Sequence, residues 1–199
     1  MYQVKDPSPI KVAEEALESV MEFNKWNDVK KGEERLRTTS DTSTLGVHFL
    51  HVDASFSEEG FMTMGCIIKD HNQAFSLAAC RRENMQVEVA VGEAMAVRWG
   101  LSLAKDLNLE KIVIKSDAKV VVDCVNGFSK LVALEPVIVD IKESLRFFNF
   151  ASLLFHSRSC NFQAHNLARL AHFVGSRTWV DEYPSQDISA FVTSASLLV

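Results

Sequence analysis

The sequence predicts an α/β fold built on a five-stranded mixed sheet, with three antiparallel strands and two parallel ones, flanked by helices. Residues 46–82 contain three short strand-like stretches separated by turn residues. Apolar residues then recur at helical spacing over 89–107. Beyond them, short apolar stretches alternate with helical ones, which is the order typical of parallel strands joined by helices.

The first three strands are predicted to form an antiparallel meander. They cover 46–56, 61–70 and 74–82, and the turn sequences SEEG and DHNQ leave only short connections between them. Along the first strand, Leu50, Val52, Ala54 and Phe56 alternate with His51, Asp53 and Ser55. One face of this strand is therefore apolar and the other is polar.

The second half of the chain alternates helices with strands. After the helix at 89–107, the pattern predicts a strand at 111–116, helices at 118–125 and from Pro136 to about 148, a strand at 151–158, and a helix at 161–175. Strands four and five each follow a helix, so we expect both to run parallel to a central partner.

The chain divides into a main domain with two extensions. Its 199 residues, 47% of them hydrophobic, suffice for one domain with a substantial core. Residues 1–43 predict a helical extension, centred on 8–37, and a polar linker. The main domain is predicted over 44–176, and 177–199 form a C-terminal tail.

Charge and cysteine usage narrow the class of protein. The formal net charge of −5 argues against a protein that coats nucleic acid, but it permits an enzyme that contacts nucleic acid through metal ions and a few basic residues. The four cysteines show no CxxC spacing, and no stretch has an apolar signal or spanning character. We expect a soluble, intracellular protein of the nucleus or cytoplasm, without membrane contact.

Three acidic residues indicate a metal site: Asp53 within a strand, Glu93 early in a helix, and Asp117 at the end of a strand. Carboxylates beside an apolar core are costly unless a cation neutralises them. Each also has an ordinary explanation. Asp53 suits an edge strand that faces water, Glu93 suits a solvated first helical turn, and Asp117 suits a helix N-cap.

The combined pattern resembles type 1 ribonuclease H. The order β-β-β-α-β-α-α-β-α places Asp53 in the first strand, Glu93 in the first helix and Asp117 after the fourth strand, and the resemblance covers about 45–175. The sequences VDA, GEA, SD and AHNLA are similar to those of a plant branch of this family. That branch occurs in non-LTR retroelements and related standalone proteins.

The resemblance implies an enzyme that cuts the RNA strand of RNA–DNA hybrids. Asp53, Glu93 and Asp117 would hold two Mg²⁺ or Mn²⁺ ions, with Asp53 shared between them. His165 stands where the family usually has a fourth carboxylate, and we expect it to belong to the catalytic set. The resemblance implies a nucleic-acid partner, and we expect a monomer.

Two further residues are candidates for nucleic-acid contact. Arg158 suits a phosphate contact, although surface arginines are common, and Asn161 suits either a helix cap or a contact near the metals. Two further departures from the family pattern stand in this sequence. The segment 126–136 is short and poor in basic residues, so we expect weak, salt-dependent binding. SRSCN stands where the family has a mobile histidine flanked by glycine.

Two other functions remain open. His165 and the acidic balance also suit a binding domain with little or no turnover, for which the helical extension at 8–37 would provide a protein-docking surface. A 3′–5′ exonuclease of the same superfamily usually has a further Asp or a Tyr/His-containing motif late in the chain. Asp123 and Asp140 are the nearby acidic alternatives, and neither stands in a matching context.

Overall fold

The structure, a computed structural model, describes residues 46–180 and Val192. The predicted helical extension, the domain boundary near residue 43 and the tail beyond residue 180, apart from Val192, lie outside the described residues. No helix in the described part of the chain combines the length and apolar character needed to cross a bilayer.

Residues 46–180 contain six strands and four α-helices. The strands are β1 Val47–Phe56, β2 Met62–Lys69, β3 Phe75–Glu83, β4 Lys111–Ser116, β5 Phe150–Phe155 and β6 Arg177–Val180. The helices are α1 Val89–Asp106, α2 Lys119–Asn126, α3 Glu135–Leu145 and α4 Phe162–Val174.

The strands form one mixed sheet in the order β5-β4-β1-β2-β3-β6. β1, β2 and β3 are antiparallel neighbours, whereas β4 runs parallel to β1 and β5 runs parallel to β4. The structure thus confirms the α/β fold and the mixed sheet with flanking helices.

The structure adds a sixth strand to the five predicted. Residues Arg177–Val180, assigned to the tail, pair antiparallel with Leu77–Cys80 of β3. Three of these four residues are exposed, so the segment has no apolar alternation to mark it as a strand. The fifth strand is also shorter than predicted and ends at Phe155 rather than at residue 158.

Glycines set how closely helices approach the two faces of the sheet. A Cβ atom on Gly100 of α1 would lie 2.7 Å from Cγ1 of Val52. On the opposite face, a Cβ atom on Gly65 of β2 would lie 2.1 Å from the carbonyl oxygen of Ala164 and 2.5 Å from the amide nitrogen of Ala168 in α4. Only glycine permits α4 to lie this close to β2.

The central strand extends beyond its parallel neighbour. β4 pairs with Val47–His51 of β1 and then ends at Ser116, whereas β1 continues to Phe56 along β2. Asp53 therefore lies just past the last β4 pairing, where open α/β sheets place their ligands.

Candidate metal centre

The structure brings together the three acidic residues singled out in the sequence. Each of Asp53, Glu93 and Asp117 offers a carboxylate oxygen, and these oxygens lie within 4.8 Å of one another. Asp53 is 3% exposed, and the other two are partly buried. The set is assembled from a strand, a helix and the residue that follows a second strand.

Local sequence explains how each carboxylate reaches the centre. Glu93 lies in the second turn of α1, next to Gly92, where a Cβ atom would lie 2.6 Å from two ring carbons of Phe56. The start of α1 can therefore approach the end of β1. Asp117 follows β4 directly, and the Ser116 hydroxyl accepts a hydrogen bond of 3.2 Å from the Ala118 amide in the turn around it.

The electrostatics favour a cation. Burial raises the pKa of Asp53 to about 6; the His165 hydrogen bond lowers it and the charge of Asp117 raises it further. Burial and then the charges of Asp53 and Asp117 raise the pKa of Glu93 to about 9. Within the described residues, the buried Oε2 atom of Glu93 has no hydrogen-bond partner. Hard carboxylate oxygens that repel one another, one of them buried without a donor, suit a divalent ion such as Mg²⁺ or Mn²⁺.

His165 lies against Asp53. Its Nδ1 is 2.8 Å from Asp53 Oδ2, in a pairing where the ring N–H donates to the carboxylate. This contact fixes one oxygen of the Asp53 carboxylate. The histidine therefore orients a carboxylate of the centre instead of adding a fourth negative charge to it.

Asn161 connects two parts of the centre. Its Nδ2 donates to the Val52 carbonyl at 2.8 Å and to Oδ1 of Asp117 at 3.2 Å. The residue is 1% exposed and makes no side-chain cap on α4. Of the two sequence-based alternatives, the structure shows the position near the carboxylates.

Arg158 lies on the turn Arg158–Cys160 that precedes α4, and it is exposed. Its positive charge lowers the pKa of Glu93, after the larger effects that raise it. The guanidinium is therefore close enough to the carboxylate centre to act on Glu93.

Sequence reasoning did not group two histidines and a lysine that lie beside the centre. Burial and then Lys115 hold the pKa of His51 well below its usual range, and burial lowers the pKa of His156 to about 4. The two rings meet edge to face with centroids 5.7 Å apart, and Lys115 is 5% exposed. The alternation of β1 could have revealed His51, because it shares a face with Asp53.

The two alternative acidic residues do not join the centre. Asp123 pairs with Lys119 at 2.8 Å and Asp140 pairs with Arg98 at 2.8 Å, each in a solvent-accessible ion pair. Neither belongs to the group of carboxylates that meet at Asp53.

A mixed sheet of this order, with three carboxylates at the junction of β1 and β4, defines a ribonuclease H-like fold. The chain belongs to the reverse transcriptase-like family, whose model matches residues 51–171. No curated protein matches the chain.

Solved structures of type 1 ribonucleases H have the same fold. RNase H1 from the archaeon Halobacterium salinarum is 19% identical, with a TM-score of 0.61 over 63% of this chain and 97% of that one. The N-terminal RNase H domain of a Mycobacterium tuberculosis protein, solved as a fusion with maltose-binding protein, is 18% identical, with a TM-score of 0.57 over 63% and 92%. LC11-RNase H1, solved in complex with an RNA/DNA hybrid, is 14% identical, with a TM-score of 0.56 over 62% and 94%.

Proposed function

We propose that this protein is a metal-dependent endoribonuclease that hydrolyses the RNA strand of RNA–DNA hybrids. The observation that carries the proposal is the convergence of Asp53, Glu93 and Asp117 within 4.8 Å, with a buried carboxylate oxygen that lacks a donor. The family membership and the structural likeness to an RNase H1 bound to a hybrid support the choice of substrate.

Asp53, Glu93 and Asp117 would hold two Mg²⁺ or Mn²⁺ ions. Bound divalent ions of this kind activate a water molecule and stabilise the leaving oxygen of a phosphodiester. His165 holds the Asp53 carboxylate in place through Nδ1, and Asn161 does the same for Asp117 through its amide. The chain's own contribution is a rigid set of ligands, supported by hydrogen bonds from α4 and from the residue before it.

Arg158 would contact the phosphate backbone beside the centre. Its planar guanidinium presents paired donors to phosphate oxygens, and its position on an exposed turn leaves it accessible. With a net charge of −5, the protein has little general attraction for nucleic acid. We therefore expect hybrid binding to depend on a few contacts, on the shape of the duplex and strongly on salt.

A second candidate function is hybrid binding with little turnover. It is favoured by the pairing of His165 with Asp53, because a histidine supplies less negative charge for a second ion than the usual carboxylate. In that case the family fold serves recognition, and the predicted helix at 8–37 would be a docking surface for a protein partner.

The deciding experiment is cleavage of an end-labelled RNA–DNA hybrid by the purified full chain at low salt. The assay includes Mg²⁺, Mn²⁺ or a chelator. We expect metal-dependent cuts in the RNA strand, and Asp53→Asn should abolish them because it removes a ligand from the centre. Asp123→Asn is the matched control, since it changes a carboxylate that pairs with Lys119 outside the centre. Hybrid binding without cleavage by folded wild-type protein would favour the second function.

A further inference from the structure

A second polar site lies beside the carboxylate centre, on the same face of the sheet. Ser55 follows Asp53 by two residues along β1, so both side chains point toward α4. The Nε2 atom of His172 is 3.1 Å from the Ser55 hydroxyl. Across the sheet, Ser55 pairs with Thr63 of β2, and Thr63 pairs with Arg82 of β3.

An aromatic ring holds the arginine of this row in position. The Arg82 guanidinium carbon lies 3.5 Å from the centre of the Phe61 ring, and the same ring meets His172 edge to face at 5.1 Å. Phe61 is 7% exposed, whereas Arg82 is exposed. Stacking on a buried ring fixes the direction of a side chain that would otherwise be mobile, while its donors stay open to solvent.

The surroundings of His172 are electropositive. Burial lowers its pKa first, and the positive charges of Arg82 and Arg169 lower it further, while Glu59 has a smaller opposing effect. The imidazole is therefore mostly neutral at pH 7, and it offers a hydrogen bond rather than a charge. Two arginines and one glutamate thus act on this histidine.

In both sites a histidine of α4 contacts a polar residue of β1, and the two β1 residues are neighbours on one face of the sheet. α4 presents His165 to Asp53 and, two helical turns later, His172 to Ser55. Asp53 and Ser55 are about 7 Å apart along the strand, given the rise of a β-strand. This spacing is comparable with one nucleotide step, so a strand whose phosphate lies at the carboxylates can place its neighbour near Ser55.

We propose that Ser55, His172 and Arg82 form a subsite for the phosphodiester adjacent to the one held at the carboxylate centre. The inference rests on the proposed function, because it takes the carboxylate centre as the place where the strand is bound. Arg82 supplies the charge and paired donors, and Ser55 and His172 supply neutral hydrogen bonds. None of the three touches the reacting atoms, so the subsite positions the strand.

The neighbouring residue Arg81 provides a matched control. Arg81 belongs to the same strand but points to the opposite face of the sheet, where it pairs with Glu83. Arg82→Gln and Arg81→Gln each remove one positive charge from adjacent exposed positions. General electrostatic attraction would weaken equally in both, whereas a subsite contact would be lost only in the first.

The test measures binding of a short RNA–DNA hybrid by fluorescence anisotropy at several salt concentrations, with Asp53→Asn as background to prevent cleavage. We expect Arg82→Gln to weaken binding about tenfold, as for loss of a charge-assisted hydrogen bond. It should also reduce the slope of log affinity against log salt by about one. Arg81→Gln should stay within about twofold. A methylphosphonate at the phosphate next to the cleavage position has no charge for Arg82 to bind. With this hybrid, Arg82→Gln should bind as tightly as the protein with Arg82.

Each outcome separates the subsite from the proposed function. Equal effects of Arg82→Gln and Arg81→Gln, or no effect of either, would overturn the subsite even if wild-type protein cleaves the hybrid. A specific Arg82→Gln effect without wild-type cleavage would retain the subsite and remove the nuclease function. Absence of any hybrid binding by folded protein would overturn both. Circular dichroism melting verifies the fold of each variant.

Discussion

Asp53 shows how much of this site is decided by single side chains. It is 3% exposed in the middle of a strand, and its carboxylate is held by His165, which lies 112 positions away in sequence. Strand alternation predicts the face of the sheet to which Asp53 points. It gives no information on which helix covers that face. The family resemblance predicted His165 in the catalytic set, and the structure gives its hydrogen bond to Asp53.

At this scale, we predict that His165→Ala weakens metal binding and hybrid cleavage by about 10–100-fold, as is typical when the hydrogen-bond partner of a ligand is removed. The physical reason is that Asp53 then loses the donor that fixes its orientation. Mn²⁺ titration calorimetry measures the affinity directly. His71→Ala, in the turn after β2, serves as control. Unchanged Mn²⁺ affinity in His165→Ala would show that Asp53 needs no such support.

The pKa of Glu93 predicts how metal binding depends on pH. Without metal, Glu93 has a pKa of about 9 and Asp53 one of about 6, so binding an ion displaces protons. Mg²⁺ affinity should rise from pH 6 to 9, by up to about tenfold per pH unit where Glu93 is protonated. Glu93→Gln should weaken binding at pH 9 and flatten this dependence. A flat profile for wild-type protein between pH 6 and 9 would contradict the prediction.

The raised pKa of Glu93 has the opposite consequence for stability. Without metal, raising the pH destabilises the folded protein. The usual pKa of a glutamate is 4.5, and the folded value is about 9. The folded state therefore holds more protons than the unfolded state between these values, and its free energy of unfolding falls as pH rises through this window. Glu93→Gln should remove this decrease in the free energy of unfolding. We therefore expect the variant to be more stable than wild type at pH 8 in the presence of a chelator, and urea unfolding measures the difference.

At the scale of elements, the approach of α4 to β2 decides where His165 and His172 lie. Both are carried by this helix, and Gly65 is the position where the helix backbone comes closest to the sheet. Sequence patterns predicted the helix nearly residue for residue, at 161–175 against Phe162–Val174. They did not predict its depth, because the close approach depends on the missing side chain of one residue in a distant strand.

We therefore predict that Gly65→Ala destabilises the protein by about 1–3 kcal/mol, the usual cost of forcing an extra group into a packed interior. The new methyl group would meet the helix backbone at Ala164 and Ala168, which cannot rotate away as a side chain can. Urea unfolding measures the change. We also expect weaker Mn²⁺ binding, because α4 must move outward with His165. Stability within about 0.5 kcal/mol of wild type would show that the helix yields freely.

At the scale of the whole molecule, the directions of five strands followed from connection lengths, whereas their order in the sheet came from the structure. Short turns predicted the antiparallel meander and helical crossovers predicted the parallel pair, and both are confirmed. The sixth strand escaped because Arg177–Val180 is short and mostly exposed, and only its pairing with β3 makes it a strand. Local sequence patterns indicate the lengths of connections and which residues are buried. An exposed edge strand is defined by its pairing with a neighbouring strand, which local sequence does not show.

The order of the ligand-bearing elements along the chain also sets when the centre can exist during synthesis. A ribosome that has released β1 and α1 has supplied two of the three carboxylates, but the third follows only after β4, and the helix that holds Asp53 is made later still. A nascent chain therefore carries acidic ligands long before it carries a formed ion site. Under the proposed function, ion capture would be a late event of its biogenesis, and an incomplete chain would not be an active nuclease.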